Sequence, residues 1–285
     1  MARLARCVAL AILAFGVPAW ASAIGAGSGL PAHTTTAADG RTVLRVVIDG
    51  SPSTQTRFAA PGSHTTASTS REDIWAGSTA ARPLPGAAGV SVEIVSLSTS
   101  DGPGGTGVRT VHVTWLGTTG VSTTTTVTLN GTTAVAMTGT VWRINVFHAV
   151  TVGSGGVAAG DISVRDATDH TTIYERIPLG SASSTTAART VPAGQYWYVS
   201  SAHYSAASGK DCTIRLRATV DPETFAPNAG VFAQFDVTDL QNDSTERLFY
   251  PPLRIPPLSD VKMDVVSASA GALTSAMIEG WTDTQ

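Results

Sequence analysis

Hydrophobic and polar residues alternate along several short segments of the chain. In Val108–Leu116, valine and tryptophan side chains fall on one face, with threonine and histidine on the other. Neighbouring side chains of a β-strand point to opposite faces, so this alternation predicts a half-buried strand. The threonine-rich segment that follows suits a second strand because Thr and Val are β-branched. Asn130-Gly131 then supplies the positive φ angles that a tight hairpin turn requires.

Further segments of strand character follow at short intervals towards the C-terminus. Gly, Pro and Asn-Asp turns separate them, and none carries a helical stripe. Their sequences are TVWRINVFHAVTV, DISVRD, TTIYERIPL, QYWYVSSAH, CTIRLRATV, GVFAQFDV, RLFYPPLRI, DVKMDVVSA and SAMIEGW. We therefore predict an all-β fold, an antiparallel sandwich or jelly-roll-like domain preceded by an extended N-terminal arm.

Composition divides the chain into three regions. Residues 1–23 have a positive start, an apolar run and a small-residue cleavage site, the pattern of a secretory signal. Residues 24–70 are rich in Gly, Ser, Thr, Ala and Pro and predict an extended arm, interrupted by one strand-like segment at Arg41–Asp49. Residues 71–285 form the predicted β-sandwich region. Its division into two packed β subdomains near residue 166 is an open alternative.

The N-terminal segment leaves three alternatives open: cleavage, retention as an apolar assembly arm, or a start assigned too early. Its apolar run, Cys7–Val17, is too short to span a bilayer, so we expect no membrane span. The two cysteines, Cys7 and Cys212, form at most one bridge. A disulfide framework or a structural zinc site is therefore not expected.

Charge is scarce and evenly spread. Charged residues make up 14% of the chain, the formal net charge is -3, and lysine occurs only at Lys210 and Lys262. Phosphate binding needs clustered Lys and Arg, so we expect no nucleic acid as a partner. A neutral surface rich in hydroxyl groups favours packing against other copies, because few full charges must leave water.

Groups with catalytic or metal-binding chemistry form no known pattern. Asp161, Asp166, Asp169 and His170 lie close in sequence, but their spacing matches neither an EF-hand loop nor an HExxH helix. The chain has no GxSxG elbow, and glutamates are too few to make a paired-carboxylate site obvious. We therefore expect no metal ligand, no cofactor, no catalytic residue and no enzymatic activity.

Aromatic residues near the C-terminal half admit two interpretations. Tyr196 and Tyr198 fall on one strand face and Trp197 on the other, while Glu279 and Trp281 share a face. A sandwich core would bury such rings, whereas a carbohydrate-binding surface would expose them. The pattern favours core and contact roles, and a sugar platform at Glu279 and Trp281 stays open.

A set of motifs resembles a family of tailed-phage virion structural proteins. The motifs, in order, are REDIWAG, PLPGAAGVSVEIVSLSTSD, GTGVRTVHVTWL, VTLNGTTAV, WRINVFHAVTVGSGGVAAGDISV and YERIPLGSASSTTAARTVPAGQ. The resemblance extends from Arg71 to the C-terminus and is most specific over Val90–Val164. It implies an oligomeric, β-rich protein of the capsid decoration, cement or head-fibre type, and it offers no catalytic residues.

This resemblance leads us to expect a capsid decoration or cement protein on the capsid exterior. Its expected partners are the major capsid protein or other virion proteins, and sister copies in a closed homo-oligomer, with a trimer as our guess. A contact strip is expected in Arg247–Leu258, where prolines block further strand pairing. The predicted contact residues are Trp75, Phe249, Tyr250, Leu253, Ile255 and Leu258.

A secreted bacterial surface protein or carbohydrate-binding β-sandwich module is the alternative function. It would account for the signal-like start. It also needs exposed rings, such as Trp197 or Trp281, to stack on a sugar.

Overall fold

The chain folds into antiparallel β-structure. The computed structural model describes residues 32–36, 42–46, 55–77, 79–228 and 230–284. These residues form sixteen strands and no helix, and every strand pair is antiparallel. The all-β prediction is therefore confirmed. Since the described residues form no helix, none of them provides a long apolar helix that would cross a membrane.

Contacts divide the chain into two compact units, residues 1–53 and 54–285. In the first unit, β1 (Ala32–Thr36) and β2 (Thr42–Val46) form an antiparallel hairpin. The signal-like segment 1–23 and the remainder of the predicted arm in this unit lie outside the described residues.

The second unit contains fourteen described strands. They are β3 (Thr56–Thr65), β4 (Glu72–Asp73), β5 (Val92–Ser96), β6 (Val108–Leu116), β7 (Ser122–Thr128), β8 (Val135–Ala136), β9 (Arg143–Val152), β10 (Ile162–Asp166), β11 (Ile173–Ile177), β12 (Ala188–Thr190), β13 (Gln195–Ala218), β14 (Ala233–Ile255), β15 (Asp260–Ser267) and β16 (Leu273–Thr284). The sequence pattern predicts that the extended arm continues to residue 70, and this range includes the residues of β3. The structure corrects this, because β3 pairs with β16 along its whole length.

The largest sheet is built around β13, a strand of 24 residues. β14 pairs with one edge of β13, while β15 and β16 pair end to end with the other edge. β4 and β12 extend the sheet beside β15, and β3 extends it beside β16. The sheet nearly closes on itself, since the Ser63 N–H donates to the Thr185 carbonyl, 3.1 Å away, just before β12.

Two smaller sheets form the other part of the second unit, in the strand orders β7-β6-β9 and β11-β10-β5-β8. β6 has the bounds that alternation predicts, and its valines are buried while its threonines and His112 lie on the more exposed face. The predicted turn at Asn130 is present, with Gly131 at φ 60° and the Thr133 N–H bonded to the Asn130 carbonyl.

Buried apolar side chains form two clusters. One lies between the two smaller sheets and runs in sequence from Val92 to Ile177. The other lies inside the largest sheet and draws mainly on β13, β15 and β16. The division near residue 166 stays a prediction.

Candidate functional site

The predicted contact residues lie in two different environments. Tyr250 is 98% exposed and Leu258 is also exposed, so both are accessible to a partner. Trp75 and Ile255 are each 1% exposed and lie in the core. The Trp75 indole N–H donates to the Thr79 carbonyl at 2.8 Å, which satisfies its polar atom inside the protein. Trp75 and Ile255 therefore have no surface to offer to another molecule, which corrects the expectation for these two residues.

The remaining predicted contact residues are half-buried at the end of β14. Phe249 and Leu253 pack against the core of the largest sheet. Pairing with β13 runs as far as Leu248 and resumes at Leu253, so the intervening residues leave the ladder. This interruption contains Pro251 and Pro252, which cannot donate backbone hydrogen bonds.

The outer edge of β14 is the longest exposed strand edge in the described part of the chain. β14 has 23 residues, and within that part only β13 pairs with it. Leu248 is 75% exposed near its centre, two residues before Tyr250. An unpaired strand edge offers a row of backbone donors and acceptors to another strand. This edge is the first candidate site.

A second candidate site lies on the outer face of β14, β13, β16 and β3. The register of these strands places Arg57 beside Trp281, Trp281 beside Tyr198, and Glu246 beside His203. Glu279 lies two residues before Trp281 on β16, so its side chain points to the same face of the sheet. We call this surface the polar–aromatic face; its members are Arg57, Tyr198, His203, Glu246, Glu279 and Trp281.

Glu279 is the polar centre of this face. One of its carboxylate oxygens lies 3.3 Å from an Arg57 guanidinium nitrogen, and the other lies 3.4 Å from His203 Nε2. The Ser201 hydroxyl also donates to Glu279, at 3.4 Å. His203 Nε2 lies 3.5 Å from Glu246, so the imidazole sits between two carboxylates. The Arg57 cation thus lies beside the Glu279 carboxylate, and the His203 ring lies between the carboxylates of Glu279 and Glu246.

Aromatic rings lie next to these charges. The rings of Tyr198 and Trp281 stack at a centroid distance of 5.6 Å with an interplanar angle of 12°. The Arg254 guanidinium lies over the Tyr196 ring, 3.8 Å from its centroid. Trp197, the other ring that the carbohydrate-binding alternative named, is buried and stacks on Phe58. Of Trp197 and Trp281, Trp281 is therefore the one that is partly accessible.

Two open depressions lie along the polar–aromatic face. One, of about 340 Å³, is lined by Arg57, Glu279 and Trp281 together with Gln55 and Ser200. The other, of about 510 Å³, includes His203 and Glu246. Both volumes fall in the range of small-molecule sites. The arrangement can donate hydrogen bonds from Arg57, accept them at the carboxylates, and offer apolar ring surface beside both.

The candidate metal residues do not converge. Asp161 pairs with Arg176 at 2.9 Å, while Asp169 accepts hydrogen bonds from the backbone and hydroxyl groups of Thr171 and Thr172. Those hydrogen bonds hold the pKa of Asp169 far below its usual range. His170 Nδ1 lies 2.8 Å from Glu93. Among the described residues, no group of three or more His, Cys, Asp and Glu side chains is placed to hold a metal ion.

The buried glutamates bind groups of the protein itself. Burial raises the pKa of Glu72, but hydrogen bonds from the Ala67 N–H, His64 and Ser68 outweigh burial and lower it to about 2. The His64 Nε2–Glu72 distance is 2.7 Å. Burial likewise raises the pKa of Glu93, and hydrogen bonds from His170 and Arg165 lower it overall.

Glu175 is the third such residue. It pairs with Arg82 at 2.8 Å and accepts hydrogen bonds from the hydroxyl groups of Ser184 and Thr186. None of these three carboxylates faces a second carboxylate across an open cleft in the contacts of the described residues. Paired carboxylates across a cleft are what glycoside hydrolysis requires.

No protein-family model and no curated protein matches this chain. A solved structure described as "The 2.6A structure of Infectious Bursal Virus Derived T=1 Particles" is similar with a TM-score of 0.21 and 12% sequence identity, covering 80% of this chain and 69% of that chain. A TM-score this low carries no argument for fold or function.

Proposed function

We propose that the protein is a non-enzymatic structural protein of a tailed-phage virion. On this proposal it is a capsid decoration or cement protein that binds the capsid exterior and sister copies. Its partners are the major capsid protein or other virion proteins, and its closed oligomer is a trimer. The motif resemblance from Arg71 onwards supplies the virion assignment, and the surface of β14 supplies the means of assembly.

The single observation that carries the proposal is the outer edge of β14. Soluble monomers usually shorten, charge or cover their edge strands because a long open edge recruits other chains. Here β14 presents an open edge of 23 residues, and its side chains Leu248 and Tyr250 are 75% and 98% exposed. Apolar side chains of this size contribute contact energy only when a partner covers them. An edge of this kind fits strand addition by a neighbouring subunit.

The internal use of the carboxylates supports a structural role. Glu72, Glu93 and Glu175 each receive two or more hydrogen bonds or ion pairs from neighbouring groups of the chain. A general acid or base must reach a substrate proton with a free lone pair or proton. These side chains instead stabilise loops and strand packing.

Light scattering on the purified full chain tests the oligomer. We expect a trimer for the wild type and a monomer for the double variant Leu248→Lys/Tyr250→Lys, because two charges would have to leave water in the interface. Leu97→Lys is the matched control, since Leu97 is 74% exposed but lies next to β5. A wild-type monomer, or a trimer that survives the double variant, contradicts the role assigned to β14.

Peptide mapping of the protein from its native source tests the location. We expect the chain in gradient-purified virions at a copy number that is a multiple of the capsid symmetry. A processed chain that begins near residue 24 and is found only in the culture medium contradicts the virion proposal. That result favours the secreted bacterial module instead.

A further inference from the structure

We propose that the polar–aromatic face is a binding site for a neutral oligosaccharide. This inference goes beyond the virion role and does not depend on it. It starts from the register of four strands, which brings Arg57, Trp281 and Tyr198 into one row and Glu246 and His203 into another. No other surface of the described residues combines stacked, partly accessible rings with carboxylates of this density.

The chemistry of the face matches the two sides of a sugar ring. A pyranose presents C–H groups on its faces and hydroxyl groups around its rim. Rings such as Tyr198 and Trp281 offer apolar area with little conformational entropy to lose. Each hydroxyl is both a donor and an acceptor, so it can accept from the Arg57 guanidinium while donating to Glu279. Arg57 and Glu279 are 3.3 Å apart, so two adjacent hydroxyl groups of one sugar can bind to both side chains.

The distribution of charge selects a neutral ligand. Arg57 and Arg254 would attract an anion, but Glu246 and Glu279 lie on the same face and would repel it. A polyanion such as nucleic acid requires a continuous positive surface. A protein partner would have to bury four charged side chains, Arg57, Glu246, Arg254 and Glu279, and each one without an opposite charge on the partner would carry a desolvation penalty. Sugar hydroxyls can donate to the carboxylates and accept from the guanidinium groups, so they replace the hydrogen bonds of the displaced water.

The dimensions of the face fit more than one sugar unit. The depressions of about 340 and 510 Å³ follow one another along β13 and β16: Ser200 and Glu279 line the first, and His203 and Met277 line the second. A row of serines, Ser63, Ser205, Ser244 and Ser275, continues the polar surface beyond His203. A linear oligosaccharide of a few residues would run along the strands from Trp281 towards these serines.

Titration calorimetry on the full chain tests the site. The probes are maltohexaose, cellohexaose, mannohexaose and chitohexaose, with heparin hexasaccharide as the anionic comparison. We expect at least one neutral probe to bind, and Trp281→Ala and Glu279→Gln each to weaken it by roughly ten-fold or more, because a lost charged hydrogen bond or ring contact is of that order. Leu97→Ala and Glu223→Gln are the controls, since both side chains are exposed and neither residue belongs to the four strands of the face.

Every result of this experiment decides the proposal. Failure of all four neutral probes, tighter binding of heparin, or unchanged affinity in Glu279→Gln overturns it. Arg57→Gln is a third test variant, chosen because it keeps the fold: the Arg57 side chain is 80% exposed, so its loss leaves the core intact. Thermal melting of each variant confirms that it is folded. The oligomer measured by light scattering is a separate quantity, so loss of sugar binding and failure of the β14 assembly role remain distinguishable.

Discussion

Glu72 shows how a single buried side chain makes the stability of this protein depend on pH. Its carboxylate lies in the interior beside His64, and hydrogen bonds hold its pKa at about 2, against an ordinary value of 4.5. A carboxyl whose folded pKa is depressed stabilises the folded state above the unfolded pKa. That stabilisation is lost as the pH falls from 4.5 towards 2, where the carboxyl becomes protonated in both states.

Urea unfolding between pH 2 and pH 7 measures this contribution. We expect Glu72→Gln to lower the free energy of unfolding at pH 7 by about 3 kcal/mol, the equivalent of the pKa difference, and to have little effect near pH 2. Glu223→Gln, on the surface, should follow the wild type at every pH. A Glu72→Gln curve that runs parallel to the wild type would contradict the assignment.

The polar–aromatic face was only partly predictable from the sequence. Strict alternation from Tyr198 would place residues 200, 202 and 204 on its face of β13. The structure instead has a bulge between Val199 and Ser201, which moves His203 to the outside. The sequence does bring Glu279 and Trp281 together, since they lie on one strand at a spacing of two. The contribution of His203 was missed because an extra residue in a strand leaves no clear periodic signal.

At the scale of the element, the same bulge explains why β16 contains a glycine. A Cβ added to Gly280 would lie 2.0 Å from the Tyr198 carbonyl oxygen, a backbone atom that cannot rotate away. We expect Gly280→Ala to reduce the free energy of unfolding by about 1 to 3 kcal/mol, the usual cost of forced overpacking. Chemical denaturation of the full chain measures the change.

Gly86→Ala is the control for that substitution. An added Cβ there meets no atom within 4 Å, so we expect stability within about 0.5 kcal/mol of the wild type. Equal destabilisation by both substitutions would show that the backbone approach at Tyr198 is not the cause. Reduced sugar binding by Gly280→Ala would further indicate that the bulge sets the geometry of the face.

The strands differ in how well the sequence predicts them. β6 was predicted at both ends because its apolar positions alternate without interruption over Val108–Leu116. β13 and β14 were each predicted as two shorter strands, since Gly, Ser and Asn residues near their centres are typical of turns. In the structure these residues continue the hairpin through a register shift between Ala206 and Asp211. Long-range pairing therefore overrides local turn preference, and it creates the exposed edge that the sequence does not reveal.

At the scale of the second unit, buried polar contacts join the two apolar clusters. Arg82 donates through its backbone N–H to Asp73 of β4, and its guanidinium bonds the Ile144 carbonyl and Glu175. Arg143 of β9 forms a two-point ion pair with Asp260 of β15, with both distances 3.0 Å. Because these contacts link strands of the smaller sheets to the largest sheet, we expect residues 54–285 to unfold in one cooperative transition.

Differential scanning calorimetry of Arg82→Met tests this coupling. The substitution leaves the Glu175 carboxylate buried without its ion-pair partner, so we expect a loss of about 3 to 5 kcal/mol and a transition that broadens or splits in two. Arg82→Met/Glu175→Gln removes the stranded charge as well, and it should recover part of the loss. In the double variant the glutamine at position 175 still accepts hydrogen bonds from Ser184 and Thr186. A recovery of stability would therefore report on the buried charge and not on those hydrogen bonds. A single unbroadened transition in Arg82→Met would place the coupling in apolar packing rather than in these polar contacts.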